Sequence, residues 1–174
     1  MEQLQNYKVD LNGIAGDTVS YQWDVEDDFF SVVQGPEIQR GRLNVALRVK
    51  RTSGAYELVF DISGEVEVQC DRCLEPMEQP IHATHTLRAR LGEEYDDDGD
   101  IITVPEDEGL LDVAWYIYEI AALEIPIRHV HPDGQCKGET AEALNQCNAD
   151  EEEAHEEKEV DPRWSALKDL LKNK

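Results

Sequence analysis

Four cysteines, Cys70, Cys73, Cys136 and Cys147, are the residues of this 174-residue chain best suited to chemistry. The closest pair lies in Val68-Gln-Cys70-Asp-Arg-Cys73-Leu-Glu-Pro76. The first residues, Met1 to Asn6, show neither a basic n-region nor an apolar h-region, so a cytoplasmic location is expected. In that compartment thiols stay reduced, and metal or redox chemistry is considered ahead of a disulfide framework. Thioredoxin-type catalysis needs its reactive cysteine at a helix N-terminus within a βαβ unit. Here the flanks alternate like strands and Pro76 follows closely, so the pair sits at a hairpin tip. Two thiolates converging from such a tip suit one tetrahedral zinc ion.

One such pair is half of a structural zinc site. The segment His131-Pro-Asp-Gly-Gln-Cys136 offers an imidazole and a thiolate across a Pro-Asp-Gly turn. The expected ligand set is therefore Cys70, Cys73, His131 and Cys136, with zinc as the cofactor. Cys147 is a substitute for Cys136 with no turn signal beside it, and His129 points away if 127–131 is extended. Two alternatives stay open on these residues. One is a pair of reduced structural thiols with a surface histidine, and the other is a thiol redox protein.

The elements that would position the pair are strands. In Arg42–Val49 the odd positions Leu43, Val45, Leu47 and Val49 are apolar, and Ser53-Gly54 marks a turn. From Tyr56 to Cys70 the even positions carry the apolar residues, with Gly64 read as a bulge or bend. A third strand runs over Ile81–Leu91, and an earlier one places Val19, Tyr21, Trp23 and Val25 on one face. Glu26 to Phe30 begins a short helix or turn. Three alternating strands with short connections predict an antiparallel meander with one buried face. On its outward face Arg42, Arg48 and Lys50 flank Glu57, Asp61, Glu65 and Glu67, with Arg88 and Arg90 beyond. Opposite charges on neighbouring strands contribute roughly 0.2–1 kcal/mol per pair, so this basic stripe is expected to be neutralised internally.

Beyond the meander, residues 93–100 hold six acids in eight and read as an exposed loop, and Asp100–Pro105 as a short edge strand. Asp112 is expected to cap a helix over Val113–Glu124, with Trp115, Tyr118, Ala122 and Ile125 on its apolar face and Pro126 ending it. Asp161-Pro162-Arg163-Trp164 opens a final helix whose stripe is Trp164, Leu167 and Leu171. The fold class is α+β: an antiparallel β-meander or partly closed sheet, a helix after the acidic loop, and a C-terminal helix. The expected organisation is a single domain over 1–148, an acidic linker over 149–160 and the helix over 161–174.

The net charge of −23 is segregated: residues 93–161 hold 23 acids against 3 bases, and the rest of the chain 16 against 13. Such a balance disfavours generic coating of nucleic acid. Acidic runs are either solvated loops or mimics of phosphate that engage a basic protein. Candidate partner-binding residues are Asp96, Asp97 and Asp98 in the acidic loop, Arg72 at the hairpin tip, and Trp164. No stretch approaches the roughly 18 apolar residues that cross a bilayer, and no membrane or small-molecule partner is expected. Phosphate-binding glycine loops, H-E-x-x-H and nucleophile elbows are all missing, so the expectation is a binding protein and not an enzyme.

The ordered blocks Val68-Gln-Cys70-Asp-Arg-Cys73-Leu-Glu-Pro76, Ile125-Pro-Ile-Arg-His-Val-His131, Cys136-Lys-Gly and Asp161-Pro-Arg-Trp-Ser-Ala-Leu-Lys-Asp-Leu170 resemble the YceD family, the large ribosomal RNA subunit accumulation proteins. The resemblance runs from about residue 60 to the C-terminus and leaves residues 1–40 uncovered. It maps the family's C-x-x-C onto Cys70 and Cys73, and its later His and Cys onto His131 and Cys136. A further C-P-x-C pair found in many relatives is missing here. The resemblance implies a bacterial factor in the synthesis, processing or stability of large-subunit rRNA. Its partners would be a basic ribosomal protein or a pre-large-subunit particle, or large-subunit rRNA itself. A zinc-knuckle RNA-binding protein outside the ribosome is the alternative.

Overall fold

The computed structural model describes residues 2–14, 16–97, 101–132, 134–136, 138 and 140–143. The acidic linker, the C-terminal helix, Asp98, Cys147 and Trp164 lie outside the described residues. After a 3-10 turn over Glu2–Tyr7 come β1 (Lys8–Asp10), β2 (Thr18–Val25) and α1 (Asp27–Val33). The long strands β3 (Arg40–Thr52), β4 (Ala55–Gln69) and β5 (Pro76–Gly92) follow. Short strands β6 (Asp96–Asp97), β7 (Ile102–Pro105) and β8 (Leu110–Asp112) lead into α2 (Ala114–Leu123).

Period-two patterning explains the sheet. β3, β4 and β5 form the expected antiparallel meander, β2 extends it beside β3, and the order in this sheet is β2-β3-β4-β5-β7-β6. The sheet is open at β2 and β6, so the partly closed alternative does not form among the described residues. Leu43, Val45, Leu47 and Val49 of β3 are buried beside Leu58, Phe60 and Ile62 of β4. Phe29 and Phe30 of α1, with Ile117 and Ala121 of α2, complete the core. On the other face Lys50 stands opposite Glu57, Glu57 opposite Arg88, and Arg42 opposite Glu65, the charge complementarity anticipated for this face. No helix among the described residues is long and apolar enough to cross a membrane.

Four expectations need correction. Gly64 makes no bulge: its register is unbroken against both Leu43 and Ile81. The glycine is required for another reason, since φ is 151° and a Cβ there would lie 2.1 Å from the Arg42 carbonyl oxygen. Ile102–Pro105 is not an edge strand. It pairs parallel with β5 and is covered by β6, because Asp96 and Asp97 of the acidic run pair with Thr103 and Ile102. Trp115 is 52% exposed, because α2 buries Ala114, Tyr116, Ile117, Tyr118, Ile120 and Ala121 instead, and Trp115 stacks outside them on Tyr118 at 5.4 Å. The helix starts one residue later than expected, with Val113 and not Asp112 at the N-cap position, though Asp112 Oδ1 accepts from the Ala114 N–H at 3.0 Å.

Tyr118 ties α2 to the segment entering β3. Its hydroxyl oxygen accepts from the backbone N–H groups of Glu37 (2.8 Å) and Ile38 (3.2 Å), while a Cβ at Gly35 would meet its ring at 1.9 Å. Tyr118→Phe strips the acceptor from a buried N–H and is expected to cost about 1–3 kcal/mol. A lowered urea midpoint with an unchanged slope would register this loss. An unshifted midpoint would show that the pairing contributes nothing.

Candidate metal centre

The β4–β5 hairpin keeps register down to Gln69 opposite Pro76, and Cys70–Glu75 forms its tip. The Cys70 N–H donates to the Glu75 carbonyl and the Leu74 N–H to the Cys70 carbonyl, each at 2.9 Å. Leu74 takes the left-handed conformation at φ 62°, which turns the chain back and leaves its side chain exposed. This tight closure brings both thiols to the inside, where Cys70 is 0% and Cys73 2% exposed.

The second half comes from the segment after α2. Pro132, followed by Gly134 at φ 79°, accepts from the Gln135 N–H at 3.0 Å, the turn expected between His131 and Cys136. Sγ of Cys70, Cys73 and Cys136 and a ring nitrogen of His131 all lie within 4.8 Å of one another. Cys73 Sγ is 3.4 Å from His131 Nδ1. Zn–S bonds of about 2.3 Å and Zn–N bonds of about 2.0–2.1 Å in a tetrahedron give S···N edges of roughly 3.6 Å, so the spacing fits such an ion. Three soft sulfurs and one imidazole are a donor set of structural-zinc type.

Electrostatics within the cluster point the same way. Burial pushes the Cys70 thiol up, yet N–H donors from Cys73, His131 and Arg72, with the His131 side chain, outweigh it and bring Cys70 down to about 5. The Arg72 N–H stands 3.4 Å from Cys70 Sγ. Burial and the neighbouring Cys73 and Cys70 push Cys136 up to about 11. Crowded sulfurs thus resist full ionisation until a cation balances them.

Around the cluster Ala141 is buried, with Met77 and Val130 packed against it, making a small apolar group at the hairpin tip. Sequence reading missed the clamp that holds the two halves together. The Asp71 N–H donates to the His129 carbonyl at 2.9 Å, and Asp71 Oδ2 accepts from the His129 N–H at 2.8 Å. His129 Nδ1 lies 3.0 Å from the Pro126 carbonyl and Nε2 lies 3.6 Å from Asp71 Oδ1, so this ring takes a supporting position beside the cluster. The Asp between the two cysteines was its one visible signal, and its partner 58 residues away carried none.

Among the candidate partner-binding residues, Arg72 sits on the tip, far in sequence from Asp96 and Asp97 on β6. Asp97 Oδ2 accepts from the Tyr116 hydroxyl at 2.8 Å, and the Tyr116 and Tyr95 hydroxyls lie 3.0 Å apart. Burial, then Tyr95 and Asp97, raise the Tyr116 hydroxyl well above the ordinary phenol range.

The model of the family described as large ribosomal RNA subunit accumulation protein YceD matches residues 58–171. The chain belongs to this family. No curated protein and no solved structure matches it. The YceD match begins inside β4 and takes in all four residues of the cluster, while β1, β2 and β3 lie before it.

The cluster gives the metal-free YceD-family chain a pH signature. Cys70 falls from an ordinary 9.0 to about 5, so the unfolded chain binds more protons between those values and stability rises with pH there. Cys136 rises from 9.0 to about 11, so stability declines across that upper interval. Chemical denaturation of chelator-treated protein should therefore show a maximum near pH 9, with the lower limb flattened in Cys70→Ser. A wild-type profile that is flat between pH 5 and 9 would contradict the assignment of Cys70.

Proposed function

We propose that this chain is a non-catalytic factor in large-ribosomal-subunit rRNA synthesis, processing or accumulation, and that it acts by binding a basic ribosomal protein or the assembling particle. The observation that carries the reading is the YceD family match over the segment that builds the cysteine–histidine cluster. A zinc ion held by Cys70, Cys73, His131 and Cys136 would supply structural cross-linking between the hairpin tip and the segment after α2. Four protein donors fill a tetrahedral shell, which is the closed arrangement of a structural ion; catalytic zinc keeps a position for water or substrate. Burial of Cys70 and Cys73 argues against thiol exchange, since a partner sulfur must reach the thiolate it attacks.

The acidic segments serve as the docking charge in this reading. Association with a basic partner would be electrostatically steered and weakened by salt. The cytoplasm is the compartment that fits both reduced thiols and ribosome production.

A second reading, direct contact with large-subunit rRNA, rests on the knuckle end. Arg72 lies on the tip and Arg128 is exposed beside His129, with Leu74 and Ile127 projecting their apolar side chains into solvent. Arginine at such a position suits phosphates and unstacked bases. Filter binding of large-subunit rRNA fragments to wild type and Arg72→Ala separates the readings. Several-fold weaker binding in the variant supports RNA contact, whereas no binding by either protein returns the role to protein docking.

Two outcomes check the leading reading. Purified protein should carry one zinc per chain, lost when Cys70→Ser and Cys73→Ser are combined; elemental analysis finding no zinc, or unchanged zinc in the double variant, removes the centre. A tagged chain captured from its own cells at mild salt should bring down large-subunit precursors or ribosomal proteins and release them as salt rises. Capture that contains no ribosomal material refutes the docking role.

A further inference from the structure

Away from the cluster, at the N-terminal end of α2, a groove of about 440 Å³ opens between the 3-10 turn, α1 and α2. Leu4, Val32, Val33 and Trp115 form its apolar wall, and Tyr95 and Tyr116 close one side. Trp115 and Tyr95 are both more than half exposed, an unusual state for large aromatics on a fold with a well-filled core. Among the described residues, the charged ones lining the groove are Asp97 and Asp112, with no Lys or Arg. Both carboxylates are held in place, Asp97 by the Tyr116 hydroxyl and Asp112 by the Ala114 N–H. Its natural occupant is an apolar segment that carries positive charge.

The chain itself contains one. Residues 161–174 hold Arg163, Lys168, Lys172 and Lys174 against Asp161 and Asp169, a balance of +2 in a protein whose total is −23. Trp164, Leu167 and Leu171 fall at i, i+3 and i+7, so in helical form they share one face, with Lys168 one turn beyond Trp164. We propose that this C-terminal segment docks in the groove, with Trp164 against Trp115 and Tyr95 and its cations over Asp97 and Asp112.

The tether permits it. Seventeen residues, 144–160, join the last described turn to the segment. A chain of that length reaches at most roughly 55 Å. The Ala114–Leu123 helix that separates the groove from the knuckle end is about 15 Å long. Docking on such a tether is intramolecular, at an effective concentration in the millimolar range, so modest contacts suffice to keep the groove covered.

The proposal stands independently of the ribosomal role, because its test needs no partner. In the full chain, Trp115→p-benzoylphenylalanine is photolysed at concentrations where the protein is monomeric, and the products are mapped by mass spectrometry. Intrachain cross-links to 161–174 are expected. Combining Trp164→Ala with Leu167→Ala should lower their yield about tenfold, equivalent to about 1.4 kcal/mol. Screening at about 0.5 M NaCl, where the Debye length is roughly 4 Å, should lower it as well. Cross-links to a second copy, to other segments only, or with a yield indifferent to Trp164 overturn the proposal. Amide exchange supplies a readout without the cross-linker: residues 115–118 and 95–97 should exchange faster in Trp164→Ala than in wild type. Unchanged exchange at both stretches would equally refute it.

Discussion

A hairpin as long as β4–β5 needs something to hold its far end. Pairing runs without interruption from Tyr56–Ala89 to Gln69–Pro76, but the main core stops supplying buried partners around Val68 and Met77. Beyond that point, among the described residues, the tip packs against Ala141, Val130 and the cysteines. So small an apolar group removes too little surface from water to order a reversing chain and the segment laid across it. Convergence of three sulfurs and an imidazole is what the geometry offers in its place. Hydrogen-bond donors from Cys73, His131 and Arg72 hold Cys70 low, while burial and the neighbouring sulfurs hold Cys136 high, so the same crowding that makes the tip precarious makes it receptive to a cation.

What the tip holds, it passes on. Asp71 and His129 exchange two backbone-linked hydrogen bonds, so the segment after α2 is oriented by the hairpin as well as by the cluster. Tyr118 fixes the other side of α2 to the residues entering β3. The helix is therefore anchored through its neighbours at both ends, and the two surfaces it separates, the knuckle and the aromatic groove, are held at a set spacing.

The sequence announced the meander because alternation is local: a half-buried strand has to write its period into eight or ten adjacent residues. The cluster was legible for a different reason. Reduced thiols at hairpin-tip spacing restrict the chemistry so sharply that a His and a Cys flanking a Pro-Asp-Gly turn stand out, and the structure brings those four side chains together. Where neither local period nor distinctive chemistry existed, reading failed. β7 joining β5 in parallel depends on a crossover that no residue in Ile102–Pro105 encodes, and Asp96–Asp97 became a strand only because Thr103 and Ile102 were there to pair with it. Trp115 was misplaced because α2 is apolar nearly all round, so periodicity could not choose its buried side.

Charge segregation follows the same division of labour. The meander offsets its charges strand against strand, with Lys50, Glu57 and Arg88 in one row, and thus keeps a nearly neutral outer face. The excess acid lies after β5, over residues 93–161. Acid held at the groove by Tyr116 and Ala114 differs physically from acid in a solvated run. Asp97 and Asp112 are already oriented, so a cation arriving there pays less ordering entropy than one meeting a carboxylate that nothing holds. That difference makes the groove, more than the run of acids beside it, the place where specificity can arise.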